Sequence, residues 1–138
     1  MFDMKPFNLI RISSILLIVL INIGCDQVSK SIVREKLDAH ENIHFLDNHL
    51  MLTKVENSGA FLSAGDALPP LAKTLLLSVF PALILLTLMV WLFRQQDLSR
   101  GAVFGLSCVI GGGIGNVFDR IVHGSVTDFL YIHFDIFR

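Results

Sequence analysis

Charged side chains are scarce in this sequence. They make up 17% of its 138 residues, against roughly 25% in an average soluble domain. Hydrophobic residues make up 53%, and the net charge is −1. This composition excludes a disordered chain and a coiled coil, and the lack of surplus cations excludes a nucleic-acid-binding domain. The length predicts one domain, residues 1–138.

Cysteine is also rare, and histidine shows no metal-binding spacing. The two cysteines, Cys25 and Cys108, form neither a zinc pattern nor a disulfide framework. Both lie in apolar stretches, where a small buried thiol is the usual role. The five histidines lack a spacing such as His-Glu-x-x-His, so no metal site is expected.

Three long apolar runs account for the composition. They cover residues 7–25, interrupted by Arg11, then residues 74–93 and residues 101–118. A membrane span needs about 20 mainly apolar residues, and all three runs qualify. Pro81 in the second run would break a soluble helix but is tolerated in a membrane helix. The sequence predicts a mainly α membrane protein with three transmembrane helices.

The distribution of Lys and Arg predicts the orientation. The N-terminal stub carries Lys5 and Arg11, and the short link between the second and third runs carries two arginines. The segment 26–73 instead has seven acids and five bases. Because cytoplasmic loops are enriched in Lys and Arg, we expect a cytoplasmic N-terminus. The segment 26–73 and the tail 119–138 are then extracytoplasmic.

The outer segment shows a short strand pattern. Residues 43–46 and 50–55 are short apolar or alternating runs, and Asp47-Asn48 between them is typical of a turn. We expect a small extracytoplasmic β-hairpin here. Residues 27–37 have apolar positions near helical spacing, so they either continue the first helix or lie on the membrane surface.

Polar residues cluster at the outer ends of the predicted spans. A charge at the bilayer centre costs about 2.5–3.5 kcal/mol or more, so such residues face a cavity, a partner or the interface. The four groups are Asp26-Gln27-Val28-Ser29-Lys30, Asn57-Ser58-Gly59-Ala60-Phe61, Gly115-Asn116-Val117-Phe118-Asp119-Arg120 and Val126-Thr127-Asp128-Phe129.

Each group alone has a plain structural interpretation. Asp26 and Lys30 are four residues apart, and on a helix they would form an ion pair worth under about 1 kcal/mol. Asn57 suits an ordinary turn. The glycines of the third run suit close helix packing. They form two Gly-x-x-x-Gly pairs, Gly101 with Gly105 and Gly111 with Gly115.

Two carboxylates, Asp119 and Asp128, form the pair best suited to catalysis. One carboxylate can activate water while a second, protonated one donates to the leaving group. Asp128 is flanked by apolar residues just outside a span, so we expect it to be partly desolvated. No Ser-His or Cys-His set lies at the span ends.

Together, the four groups resemble the motifs of the lipoprotein signal peptidase family, also called signal peptidase II. The matching residues are Asp26-Gln27-x-Ser29-Lys30, Asn57-x-Gly59-Ala60-Phe61, Gly115-Asn116-x-x-Asp119-Arg120 and Val126-x-Asp128-Phe129. Their order and spacing match over nearly the whole chain. The resemblance implies a bacterial inner-membrane aspartic endopeptidase, with its active site on the extracytoplasmic side.

The resemblance also implies a substrate class and residue roles. The substrates are prolipoproteins that carry a diacylglyceryl cysteine, and membrane lipids surround the enzyme. No cofactor and no nucleic acid is implied, and we expect a monomer. Asp128 matches one catalytic aspartate. The supporting or substrate-binding residues would be Asp26, Lys30, Asn57, Gly59, Asn116, Asp119 and Arg120.

One motif of the family is missing. The second catalytic aspartate of the family belongs to a Phe-Asn-x-Ala-Asp motif that opens a fourth span, and these 138 residues do not contain it. Asp135 follows His133-Phe134 and does not match. We therefore expect a shortened or inactive form of the peptidase, with Asp119 as the fallback second carboxylate.

Two other functions stay open. The missing motif favours a non-catalytic membrane protein that binds lipidated peptides. The third alternative is a lipoprotein precursor lipidated at Cys25, because Lys5, an apolar core and Gly24-Cys25 resemble an export signal. Asn22 stands where such signals usually have Leu, and two further spans argue against this alternative.

Overall fold

Three long helices and a small antiparallel sheet make up the architecture. The structure is a computed structural model that describes residues 8–60 and 64–133. The helices are α1 (Leu9–Lys36), α2 (Pro70–Arg94) and α3 (Arg100–His123), and the strands are β1 (Ile43–Phe45), β2 (Leu50–Asn57) and β3 (Val126–Ile132). Lys5, Phe61 and Asp135, named above, lie outside the described residues.

The helices turn apolar side chains outward. Each of the three is long and apolar enough to cross a membrane. Leu9, Ile10, Leu83 and Phe104 are all more than half exposed. Exposed apolar surface on this scale is unfavourable in water but suits contact with lipid chains. The protein is an integral membrane protein, and the prediction of a mainly α membrane fold is confirmed.

The helix α1 extends well past the first apolar run. It continues without a break through Cys25 to Lys36. Residues 27–36 therefore continue the first helix, which decides between the two alternatives for this segment. The last turns of α1 carry Lys30 and Arg34 beyond the apolar run, toward the sheet.

A π turn interrupts α2 at Leu75–Val79, where the Phe80 N–H donates to the Leu75 carbonyl. The turn ends at Val79, two residues before Pro81. In a regular α-helix the ring of Pro81 would clash with the carbonyl of the residue four positions earlier. The wider turn accommodates the proline, and the helix continues to Arg94.

Two glycines let α3 approach α1 closely. A methyl group on Gly111 would lie 2.6 Å from the Asn22 Cβ atom of α1, and one on Gly115 would collide with the Asp26 carboxylate. The predicted close packing at Gly111 and Gly115 is therefore confirmed. The predicted close packing at the second pair, Gly101 and Gly105, is wrong within the described residues. No described atom outside their own stretch of α3 lies within 4 Å of a methyl on either glycine.

The sheet has the order β1-β2-β3, with both pairs antiparallel. The predicted hairpin is confirmed as β1 and β2. The third strand was not predicted, although Val126–Ile132 is rich in β-branched and aromatic residues. The chain enters it through Gly124, which ends α3 with a φ of +76°. The register places Asp128 opposite Val55.

We predict that two adjacent glycines of α3 respond differently to a methyl group. Gly111→Ala should destabilise the protein by about 1–3 kcal/mol, because the methyl overpacks the contact with Asn22. Gly112→Ala is the matched control, since no described atom outside its own stretch of α3 lies within 4 Å of its methyl. Thermal unfolding in detergent micelles measures both. Equal stability of the two variants would contradict the packing described here.

Candidate active site

The Lys30 ammonium is buried where α1 meets α3, with 3% of the residue exposed. Its Nζ lies 2.8 Å from Asp26 Oδ2, 2.7 Å from Asp119 Oδ2 and 3.0 Å from Asn116 Oδ1. Three partners match the three N–H donors of an ammonium group. The predicted Asp26–Lys30 pair therefore exists, but as part of a buried cluster rather than as a simple pair at a helix end.

Asp119 completes this cluster. It is fully buried, and its Oδ1 lies 3.1 Å from Arg34 Nη2 and accepts a hydrogen bond from Gln27 Nε2 at 3.1 Å. Two carboxylates, Asp26 and Asp119, thus face two cations, Lys30 and Arg34. Because a buried charge is tolerated only when it is paired, this balance allows the ion cluster to lie between two apolar helices.

Asn57 joins a turn to the third strand. Its Oδ1 accepts from the Gly59 N–H at 3.0 Å, and its Nδ2 donates to the Ala60 carbonyl at 2.8 Å. The same Nδ2 also donates to Asp128 Oδ2 at 3.3 Å. The side chain that closes the turn therefore also contacts the Asp128 carboxylate.

The Asp128 side chain is exposed, so the expectation of partial desolvation was wrong. It opens into a cleft of about 830 Å³ between the sheet and the ends of α1 and α3. Six of the eight residues predicted from the motifs line this cleft, namely Asp26, Lys30, Asn57, Asn116, Arg120 and Asp128.

The other two predicted residues support the cleft lining from behind. Asp119 is paired with Lys30, and the Gly59 carbonyl accepts from Arg120 Nη2 at 3.2 Å. The Arg120 guanidinium also interacts electrostatically with the Asp128 and Asp119 carboxylates, while Lys30 and Arg34 are the cations in direct contact with Asp119. The structure therefore brings the four motifs together at one end of the helices.

Sequence reasoning missed three residues of a second network. Arg34 Nε donates to Thr127 Oγ1 at 2.8 Å, and Thr127 Oγ1 donates to Glu56 Oε1 at 2.8 Å. Arg34 had a detectable signal, because it follows Lys30 by four residues and so shares its helix face. Glu56 and Thr127 had no such signal in the sequence. Each comes directly before a motif residue, but no motif or helical spacing singles it out.

Glu56 has a lowered pKa. Partial burial alone would raise the pKa of its carboxyl, but hydrogen bonds from Ser125 and Thr127 and the charges of Arg34 and Lys54 outweigh the burial. The net pKa lies below the ordinary value of 4.5. A carboxyl with a depressed folded pKa stabilises the fold above its unfolded pKa, and this contribution is lost as the pH falls through the folded value.

We therefore predict a pH-dependent effect of Glu56→Gln. The variant should melt at a lower temperature than the parent at neutral pH, and the difference should shrink as the pH falls through and below 4.5. Melting curves over this pH range measure the difference. Glu41→Gln, at an exposed position, is the control and should show neither effect. A difference that does not change with pH would contradict the assignment.

Comparisons with known proteins agree with the motifs. The family model described as Signal peptidase (SPase) II matches residues 18–138. The lipoprotein signal peptidase of Clostridium acetobutylicum is 32% identical over 119 residues, which are 86% of this chain and 74% of that protein. The lipoprotein signal peptidase of Desulforapulum autotrophicum is 37% identical over 117 residues, which are 83% and 70% of the two chains.

Two solved structures share the fold. A bacterial membrane enzyme solved in meso at 1.9 Å has a TM-score of 0.74 at 23% identity, over 96% of this chain and 83% of its own. Another, at 2.3 Å, has a TM-score of 0.73 at 24% identity, over 88% and 71%. At these identities the likeness concerns the fold. The family match and the relatives above 30% identity show that the chain belongs to the signal peptidase II family of proteases.

Proposed function

We propose that this chain is an aspartic endopeptidase that removes signal peptides from bacterial prolipoproteins carrying a diacylglyceryl cysteine, with Asp128 as a catalytic carboxylate. The observation that carries the proposal is the position of Asp128. Its exposed carboxylate lies in the cleft formed by all four motifs and is contacted by Asn57. The family membership of the chain supplies the reaction class.

In the proposed reaction, the ionised Asp128 carboxylate takes a proton from a water molecule. The resulting hydroxide adds to the carbonyl carbon of the scissile peptide bond. A second acid then protonates the leaving amine as the C–N bond breaks. The Asn57 amide holds Asp128 Oδ2, which leaves the other carboxylate oxygen free to face the water.

The second acid is not proposed to be Asp26 or Asp119. Asp26 is engaged by Lys30, and Asp119 by Lys30 and Arg34. Both carboxylates serve better as fixed counter-ions than as proton donors. We propose that a Phe-Asn-x-Ala-Asp segment supplies the second acid, and that the 138 residues alone cleave slowly or not at all. Asp119 stays the fallback if they cleave well.

The position of the cleft suits a lipid-anchored substrate. The cleft lies where α1 and α3 reach the sheet, at the edge of the apolar part of the helices. A cysteine carrying a diacylglyceryl group keeps its acyl chains in the membrane, so the adjacent peptide bond stays near that edge. This geometry supports cleavage at the membrane surface.

A non-catalytic protein that binds lipidated peptides is the second candidate. It is favoured by the engagement of both Asp26 and Asp119 with cations, which leaves neither carboxylate as a ready proton donor beside Asp128. The lipoprotein-precursor alternative has less support, because α1 runs unbroken through Cys25 and contributes Ile15 and Val19 to the core. Removal of the residues before Cys25 would remove those core contacts.

We predict that Asp128→Asn lowers prolipoprotein cleavage at least about 100-fold, because it removes the general base. The assay uses diacylglyceryl prolipoprotein in liposomes. It compares the 138-residue chain with the same chain extended by a Phe-Asn-x-Ala-Asp segment and a following span. Asp47→Asn is the control, since Asp47 lies at the exposed hairpin turn and should leave cleavage unchanged.

Three outcomes of that assay separate the candidates. Cleavage that depends on Asp128 in the extended chain supports the peptidase. Tight binding of the lipidated peptide with no cleavage by either form supports the non-catalytic candidate. Full activity of Asp128→Asn would show that Asp128 is not catalytic.

We also propose that the protein lies in the bacterial inner membrane with its N-terminus in the cytoplasm and the cleft outside. The prediction uses single cysteines introduced at His49 and Gln95 after replacement of the two native thiols. An impermeant maleimide added from outside should label position 49, in the hairpin, and miss position 95, at the end of α2. The reverse labelling pattern would contradict the orientation.

A further inference from the structure

The strand β3 presents Asp128 and the preceding Thr127 to opposite sides. Neighbouring side chains on a strand alternate between the two faces of a sheet. Asp128 opens to the cleft, while Thr127 is 1% exposed on the reverse face. A displacement of Thr127 along or across the sheet would therefore move the Asp128 carboxylate as well.

The Thr127 hydroxyl is used as both acceptor and donor. It accepts from Arg34 Nε at 2.8 Å and donates to Glu56 Oε1 at 2.8 Å, while Ser125 Oγ donates to Glu56 Oε2 at 2.6 Å. Each bond has one charged partner, which makes it shorter and stronger than a bond between neutral groups. A hydroxyl held between a guanidinium and a carboxylate has only one favourable orientation.

Arg34 is itself anchored to the helices. Its Nη2 lies 3.1 Å from Asp119 Oδ1, and its backbone carbonyl accepts from Lys54 Nζ at 3.1 Å. The network therefore ties α1 and α3 to β2 and β3. Arg34, Glu56 and Thr127 all lie outside the motif positions, so the motifs alone do not account for how β3 is held.

The backbone ladder is irregular where this network lies. The β2–β3 register shifts between Leu52 and Val55, and Val55 is the residue opposite Asp128. A one-residue slip of a strand would turn every side chain to the other face of the sheet. Such a slip would turn the Asp128 side chain out of the cleft. Bonds from Thr127 on the reverse face oppose this slip, because they form only in the observed register.

From these contacts we infer that Arg34, Thr127 and Glu56 form a clamp whose function is to position Asp128 in the cleft. The three are positioning residues and do not touch substrate. The inference rests on the proposed function, in which Asp128 is the catalytic carboxylate. The clamp is built from residues that the family motifs do not specify.

The test compares Thr127→Val with Thr127→Ser. Valine keeps the shape of threonine and removes the hydroxyl, whereas serine keeps the hydroxyl. In Thr127→Val of the chain extended by a Phe-Asn-x-Ala-Asp segment and a following span, we expect kcat for prolipoprotein cleavage to fall about 10- to 100-fold with KM unchanged, as for a small misplacement of a catalytic group. Thr127→Ser should restore most of kcat.

A second readout does not require turnover. The side-chain amide signal of Asn57, followed by ¹⁵N NMR in micelles, reports its contact with Asp128. This signal should shift in Thr127→Val and return in Thr127→Ser, when both are recorded at a temperature where the variants are fully folded. Thr87→Val is the matched control on α2, where the hydroxyl donates to the Leu83 carbonyl of its own helix, and it should change neither readout.

The outcomes separate this inference from the proposed function. An unchanged Asn57 signal and unchanged kcat in Thr127→Val, or no recovery in Thr127→Ser, would overturn the clamp. Wild-type cleavage by Asp128→Asn would overturn the proposed function, while the NMR comparison would still decide whether the clamp holds β3. If Thr127→Val does not fold, Glu56→Gln replaces it and should shift the Asn57 signal in the same direction.

Discussion

The buried ion pair between Lys30 and Asp119 is the contact on which the rest of the site depends. In lipid, the hydrophobic effect does not favour one rotation of an apolar helix about its axis over another, because lipid chains are as apolar as the side chains. A buried ammonium that reaches carboxylates on two helices removes this freedom, since loss of one partner costs about 3–5 kcal/mol. The cluster therefore fixes how α1 and α3 face each other.

Two chains of contacts connect this ion pair to the cleft. On one side Lys30 holds Asn116, which lines the cleft. On the other side Asp119 holds Arg34, which holds Thr127 behind Asp128. The absence of a side chain at Gly115 lets the Asp26 carboxylate lie against α3. The buried charges of the described residues, Lys30 and Asp119, thus lie where the helices meet the sheet.

The sequence predicted those features that depend on local patterns. Three apolar runs predicted the helices, Asp47-Asn48 predicted the hairpin turn, and the i,i+4 spacing predicted the Asp26–Lys30 pair. The exposure of Asp128 and the pairing of β3 with β2 depend on contacts between residues about 70 positions apart, which no local pattern encodes. Gly101 and Gly105 show the reverse case, a packing motif without a packing partner in the described residues.

A double-mutant cycle on Lys30→Met and Asp119→Asn tests this account most directly. Each single variant leaves the cluster with one uncompensated charge, whereas the double variant restores the balance between Asp26 and Arg34. We predict from chemical or thermal unfolding that the double variant is more stable than the sum of the single effects implies, by more than about 1 kcal/mol. Effects that add to within about 0.5 kcal/mol would show that the two charges do not act as a pair and would contradict the account.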